Sequence, residues 1–270
     1  MKPPENQVEK GASVAQAIEN MMKEQRSFEE RRQTRLGRGA ERLTRPASGL
    51  IRRFLPPGAI QRALEAADRG AGLTLPKELK NHNFHDLKSC EAAAIRVQAW
   101  SAGSNAATGS VAGFFGGVGM TMDIPATITL AARNVRATGL AYGFGKDDED
   151  EALFRLMILE LATTNGFEAR QDTLGKINGM VRQLNEPEVR MVLDKGAEWV
   201  VDKVTERVAR SLGTDLLSRK AAQVVPIAGG LIAAGINASF QTDVSRAARY
   251  AYRQRWLMHR QMIAPPKDTE

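Results

Sequence analysis

Two long stretches of this 270-residue chain carry no Asp, Glu, Lys or Arg, and they constrain the fold more than any other feature. One covers the 26 residues between Arg96 and Asp123, VQAWSAGSNAATGSVAGFFGGVGMTM, and the other the 22 between Lys220 and Asp243, AAQVVPIAGGLIAAGINASFQT. Both reach the roughly 20 residues that a membrane-crossing helix needs. Both are nevertheless rich in Gly, Ala, Ser, Thr, Asn and Gln, which contribute little to entry into hydrocarbon, so as spans they are marginal. In the first, Gly109, Gly113 and Gly117 fall four apart; in the second, Gly230, Ala234 and Ala238 do the same. Small residues at that spacing let two helix backbones approach closely. Two structures satisfy the pattern, a pair of central helices in a packed bundle or a hairpin able to enter a bilayer. Composition favours the packed pair, because glycine costs roughly 1 kcal/mol in a helix interior unless close packing offsets it.

The remainder reads as an ordinary globular chain, 43% hydrophobic and 26% charged with a mean hydropathy of −0.33, which disfavours wholesale disorder and a polytopic membrane protein. Apolar residues recur at helical spacing, and no run alternates with period two. DEALFRLMILELATT, from Asp150, sets Leu153, Met157 and Leu161 four apart and predicts a buried helix. The acidic run before it places Asp147 or Asp148 where a carboxylate can cap free N–H groups. A Ca²⁺ loop lacks its required Asp-x-Asp-x-Asp-Gly spacing here. Residues 186–211 begin with Pro187 in the first turn and repeat Val189, Leu193, Ala197, Val200, Val204 and Val208 down one side, an amphipathic core helix. The expected fold is all-α: a single helical bundle-like domain with central Gly/Ala-rich helices.

Charge divides the chain unevenly. Residues 1–60 hold 12 Lys and Arg against 7 Asp and Glu, residues 61–240 hold 20 against 21, and residues 241–270 hold 6 against 3. Residues 1–58 therefore read as a flexible basic arm, ended by Pro56, Pro57 and Gly58, with the helical domain at 59–262 and a tail at 263–270. Basic ends around a neutral middle suit attraction to an anionic surface. A lone cysteine, Cys90, and the charged start MKPPENQVEK point to the cell interior.

Three groups of residues are candidates for function. Asp123 lies among uncharged neighbours and needs a partner; a polar cluster of Asp123, Arg133, Asn237, Asp243 and Arg246 would supply one, and capping of a helix that starts at Ile124-Pro125 is the alternative. His82, His85 and Cys90, with Asp86, invite a metal reading, but zinc-finger spacing is absent and surface or capping roles fit these side chains better, so no metal or other cofactor is expected. From Asp243 to Met262 the periodicity sets Val244, Ala247, Ala248, Ala251, Met258 and Met262 on one side of a helix and Arg246, Arg249, Arg253 and Arg260 on the other, with Tyr250 and Trp256 flanking. Arginines with a neighbouring Trp suit an anionic membrane surface, whereas no nucleic-acid-binding motif accompanies them. A solvated bundle face would show the same pattern.

TGSVAGFFGGVGMTMDIPATITLAARNVRATGLAYGFGKDDEDEALFRLMILELA, from Thr108 to Ala162, resembles the signature of the EcsC family in the order and spacing of its elements. PIAGGLIAAGINASFQTDVSRAARYAYRQRWL, from Pro226 to Leu257, is similar to that family's closing segment, and the resemblance covers roughly residues 60–260. It implies a bacterial helical protein whose namesake is encoded beside an ABC transporter connected with secretion. Some members carry a peptidase label, yet H-E-x-x-H, G-x-S-x-G and G-x-x-x-x-G-K-[ST] are all missing from this sequence. The expectation is a non-enzymatic protein peripheral to the inner face of the cell membrane, accessory to a transporter or export system. A hydrolase with a site around Asp123, Arg133, Asn237 and Asp243 is the competing one.

Overall fold

A computed structural model describes residues 5–30, 79, 81–114, 116–164, 167–185, 197–221 and 229–263. Among them lie seven helices and no strand: α1 (Glu5–Glu30), α2 (Leu87–Phe114), α3 (Gly116–Ala141), α4 (Glu149–Thr163), α5 (Phe167–Asn185), α6 (Ala197–Ala221) and α7 (Gly229–His259). The fold is an all-α bundle.

The 31-residue helix α7 is its axis, with α2, α3, α4 and α5 packed around it and α1 laid along one side. Surrounded in this way, α7 buries nearly every residue from Asn237 to Met258, polar as well as apolar. A helix buried on all sides cannot keep a solvated charged stripe, so its arginines must find partners inside the protein. Glu91 of α2 meets Arg253, and Gln98 meets Arg249, which sets α2 antiparallel to α7. Tyr142, just past α3, bonds Glu91, and Arg133 stacks over Trp100 at 3.8 Å, so α2 and α3 form an antiparallel pair. The described parts of the two uncharged tracts, all but residues 115 and 222–228, thus lie in helices, and α2, α3 and α7 pack on one another.

Local sequence accounts for the helix ends. Asp148 accepts from the Glu151 N–H at 3.0 Å and caps α4, whose first turn adds three acids at the positive end of the dipole. The expected pair of candidates therefore resolves to Asp148, while Asp147 bridges Arg136 and Arg155. The last turn of α3 closes in a Schellman motif: Phe144 N–H donates to the Gly139 carbonyl at 2.9 Å, Gly143 N–H donates to Leu140 at 3.0 Å, and Gly143 takes φ +84°.

Three expectations change. The N-terminal arm contains the 26-residue helix α1, which buries Gln25 and Phe28 against the bundle; residues 31–58 lie outside the described set. The helix expected over 186–211 is seen from Ala197 and runs on to Ala221, with 186–196 outside the description. The glycine ridge is divided, because α2 ends at Phe114 and α3 begins at Gly116, leaving Gly109 and Gly113 on one helix and Gly117 on the next. The side chains of residues 104–125 and 229–234, Asp123 and Ala234 among them, are outside the described set.

Candidate functional site

The chemistry that stands out in the bundle is a buried charge cluster where α1, α2 and α7 meet. Glu91 is only 6% exposed, on the face of α2 that also carries Leu87, Cys90, Ala94 and Val97. Its carboxylate accepts from Arg253 Nε at 2.5 Å and Nη2 at 2.9 Å, from Arg249 Nη2 at 2.9 Å, and from the Tyr142 hydroxyl. Glu24 of α1 adds a second carboxylate, 2.9 Å from Arg253 and 3.1 Å from Arg249. Two carboxylates therefore balance two guanidiniums, as burial of charge requires.

Burial pushes the Glu91 carboxyl upward, but the bonds and charge of Arg253 and the charge of Arg249 outweigh it and hold the acid below its ordinary range. Burial and the Glu91 charge raise the Tyr142 phenol well above its usual value. At neutral pH Glu91 is thus a fixed acceptor and Tyr142 a fixed donor. Neither is poised to exchange a proton, so the arrangement holds helices in register and offers no general acid–base pair.

A neutral polar layer lies further along α7. Asn134 donates to the Gln241 side chain at 3.0 Å and to Ser245 at 2.8 Å, and Gln241 donates to the Thr127 carbonyl at 3.3 Å. On the other side of α7, Arg255 bonds Glu151 at 2.6 Å and stacks over Phe144 at 4.1 Å. Sequence reasoning did not single out Glu91, Tyr142, Asn134, Gln241 or Arg255. The available signal was an acid on an otherwise apolar helix face, SCEAAAIRV, which demands a buried cation.

The residues expected to meet a membrane surface are mostly internal. Arg253 is 1% exposed, Trp256 is 4% exposed with its indole N–H on the Phe84 carbonyl, and Arg249 is held by Glu91 and Glu24. Helical periodicity measured one helix alone and could not register acids from α1 and α2. Arg260 is exposed, beside His85 and 5.4 Å from the Trp256 ring, and Arg246 is half-buried. In the expected polar cluster, Asn237 and Asp243 are each 1% exposed on α7. Asp123 and Arg133 stand ten positions apart on the continuous helix α3, about 15 Å along its axis, and the side chain of Asp123 lies outside the described set. Asp123 does not cap a helix start, since α3 begins at Gly116; Pro125 lies inside the helix and deprives the carbonyl of residue 121 of its usual donor. His82 bonds the Ala141 carbonyl at 2.7 Å, and burial pushes the Cys90 thiol up to about 12 with help from Asp86 and Glu91. Among the described residues no three His, Cys, Asp or Glu side chains could hold a metal ion.

An open groove of about 370 Å³ lies between α4, α5 and α6. Its Thr163, Thr164 and Thr173 hydroxyls donate to carbonyls of their own or the neighbouring turn, and its Arg207 is paired with Glu160 at 2.9 Å. No histidine or cysteine lines it.

The model of the EcsC protein family matches residues 15–257. The chain belongs to the EcsC family. The match begins inside α1, well ahead of the segment from residue 60 that carries the resemblance in sequence, so most of α1 falls within the family's span. Among curated proteins, the uncharacterized protein YdbA of Bacillus subtilis is 24% identical over 169 residues, 58% of this chain and 55% of its own. The chain thus spans about half the length of the curated relative it matches. No solved structure matches it.

Proposed function

We propose that this EcsC-family protein is a non-enzymatic, membrane-associated helical protein at the inner face of the cell membrane, accessory to an ABC transporter or protein export system. The observation that carries the reading is the placement of the uncharged tracts. With α2 antiparallel to both α3 and α7, the end of α2, the start of α3 and the start of α7 meet at one pole of the bundle. Residues 108–114, 116–122 and 229–235 contribute no ionisable side chain there. Asp123 bounds this cap about 10 Å from the beginning of α3. A depth of roughly 5–10 Å is what an interfacial helix sinks into the headgroup and acyl boundary. Among the described residues no helix is long and apolar enough to cross a membrane, so shallow contact by this pole suits the helices better than a spanning hairpin.

The test is vesicle sedimentation combined with a Ser110→Cys variant carrying an environment-sensitive fluorophore, since the native Cys90 is buried. Binding to vesicles with a blue shift at position 110 is the expected result. Absence of binding to any vesicle, anionic or neutral, removes the reading.

A further inference from the structure

The geometry points to the Arg246–Arg249–Arg253 face of α7 as a binding surface for anionic lipid headgroups, which helix α1 covers in this structure. The inference rests on the membrane-associated reading above and names what controls the attachment.

Helix α1 is acidic although the region around it is basic: residues 5–30 hold six Glu against Lys10, Lys23 and Arg26. Its Glu24 lies on Arg249 and Arg253, and its Gln25 donates to the Tyr250 carbonyl and Gln254, each at 3.3 Å. Arg253 also donates to the Met21 carbonyl at 3.3 Å. Among the described side chains of α1, Phe28 is the fully buried large apolar one, stacked on Tyr250 at a centroid distance of 5.0 Å. Ile18, Met21 and Met22 pack against the core partly buried, so the contact mixes apolar and polar groups, and Glu24 is 47% exposed. A half-solvated carboxylate holds its partners weakly, and phosphate oxygens accept from guanidinium groups in the same geometry. Between α1 and α7 remains a space of about 10 Å³ lined by Glu24, Arg246 and Arg249, near the volume that admits one water.

The two ends of α1 differ. At its C-terminus Arg170 donates to the Glu29 carbonyl at 2.6 Å and to that of Phe28, and its guanidinium sits 4.7 Å from the Phe28 ring. This end acts as the hinge, and the remainder of α1 is the strap. When α1 lifts, Glu91 still offsets one of its two arginines, so Arg246 and one further guanidinium face solvent without a carboxylate. Each cation near an anionic leaflet contributes about 1 kcal/mol, roughly a fivefold gain in affinity.

The experiment uses the full chain with phosphatidylglycerol/phosphatidylcholine vesicles, comparing wild type with Glu24→Gln, Phe28→Ala and the double variant, while hydrogen exchange reports on residues 5–30. The expected result is loss of protection in α1 together with at least about fivefold tighter binding to the anionic vesicles. High salt or Arg246→Gln should reverse the gain, and neutral vesicles should show none. If wild type binds and the variants release α1 without binding more tightly, the strap is refuted and the membrane-associated reading stands. Full protection of α1 in all three variants also refutes it. If nothing binds any vesicle, both fall.

Discussion

Arg253 of α7 grips Glu91 of α2 with two hydrogen bonds, Nε to Oε1 at 2.5 Å and Nη2 to Oε2 at 2.9 Å, joining residues 162 positions apart. Desolvation of such a pair offsets much of its Coulomb attraction, so its main effect is to fix register, while removing one partner strands the other. Glu91→Gln should lower stability by about 3–5 kcal/mol in urea denaturation. Tyr142→Phe, which removes only one donor to that carboxylate, should cost about 1.5–3 kcal/mol. A loss below about 1 kcal/mol for Glu91→Gln would mean that Glu91 is solvated.

The same cluster sets a pH dependence at both ends of the scale. Because the folded protein holds Glu91 below its ordinary range, its stabilisation is complete above the unfolded carboxyl value, about 4.3, and is lost as pH falls through the folded one. The raised Tyr142 works in the opposite sense, stabilising below about pH 10 and failing as pH rises through its folded value. Chemical denaturation across pH should show Glu91→Gln with a flatter acid limb and Tyr142→Phe with a flatter alkaline limb than wild type.

Two helix ends share one backbone motif with different residues in its left-handed position. Gly143 has φ +84° after α3, and Gln261 has φ 55° after α7, where Met262 N–H donates to the Leu257 carbonyl. A left-handed conformation costs a side-chain-bearing residue roughly 1–2 kcal/mol. Gln261→Gly should therefore raise the thermal midpoint, by about 1 kcal/mol of stability, and Gly143→Ala should lower it by at least as much, since the added Cβ would also meet Phe84 at 3.2 Å.

Asp148 and Asp147 are neighbours with unequal roles. Asp148→Ala removes the N-cap of α4 and should cost about 1 kcal/mol. Asp147→Ala breaks ion pairs in which its own side chain is 63% exposed, and thermal melts should place its cost well below that of Asp148→Ala.

What the residues disclosed followed from how local each cause was. Leu153, Met157 and Leu161 gave α4 away because helical spacing depends only on near neighbours, and all three are buried. The acidic run narrowed its cap to two residues; choosing Asp148 required φ and ψ. Helical spacing also placed Val244, Ala247, Ala248, Ala251 and Met258 of α7 inside, whereas Met262 lies past the helix end at His259 and is 51% exposed. It could not show that Arg249 and Arg253 meet Glu24 and Glu91 inside the fold, because those acids come from other helices. That Asp123 and Arg133 stand about 15 Å apart along one axis became visible only once α3 proved continuous.

The amino-acid order by itself determined that this chain is helical, that two tracts lack charge, and that the pattern is that of the EcsC family, since propensity, spacing and composition are properties of short segments. Which end of the bundle those tracts share, which arginines lose contact with water, and that α1 lies across α7 were decided only by tertiary structure. Burial of a charge is tolerated only where an opposite charge arrives, and here Glu24 and Glu91 arrive from helices more than 150 positions away along the chain.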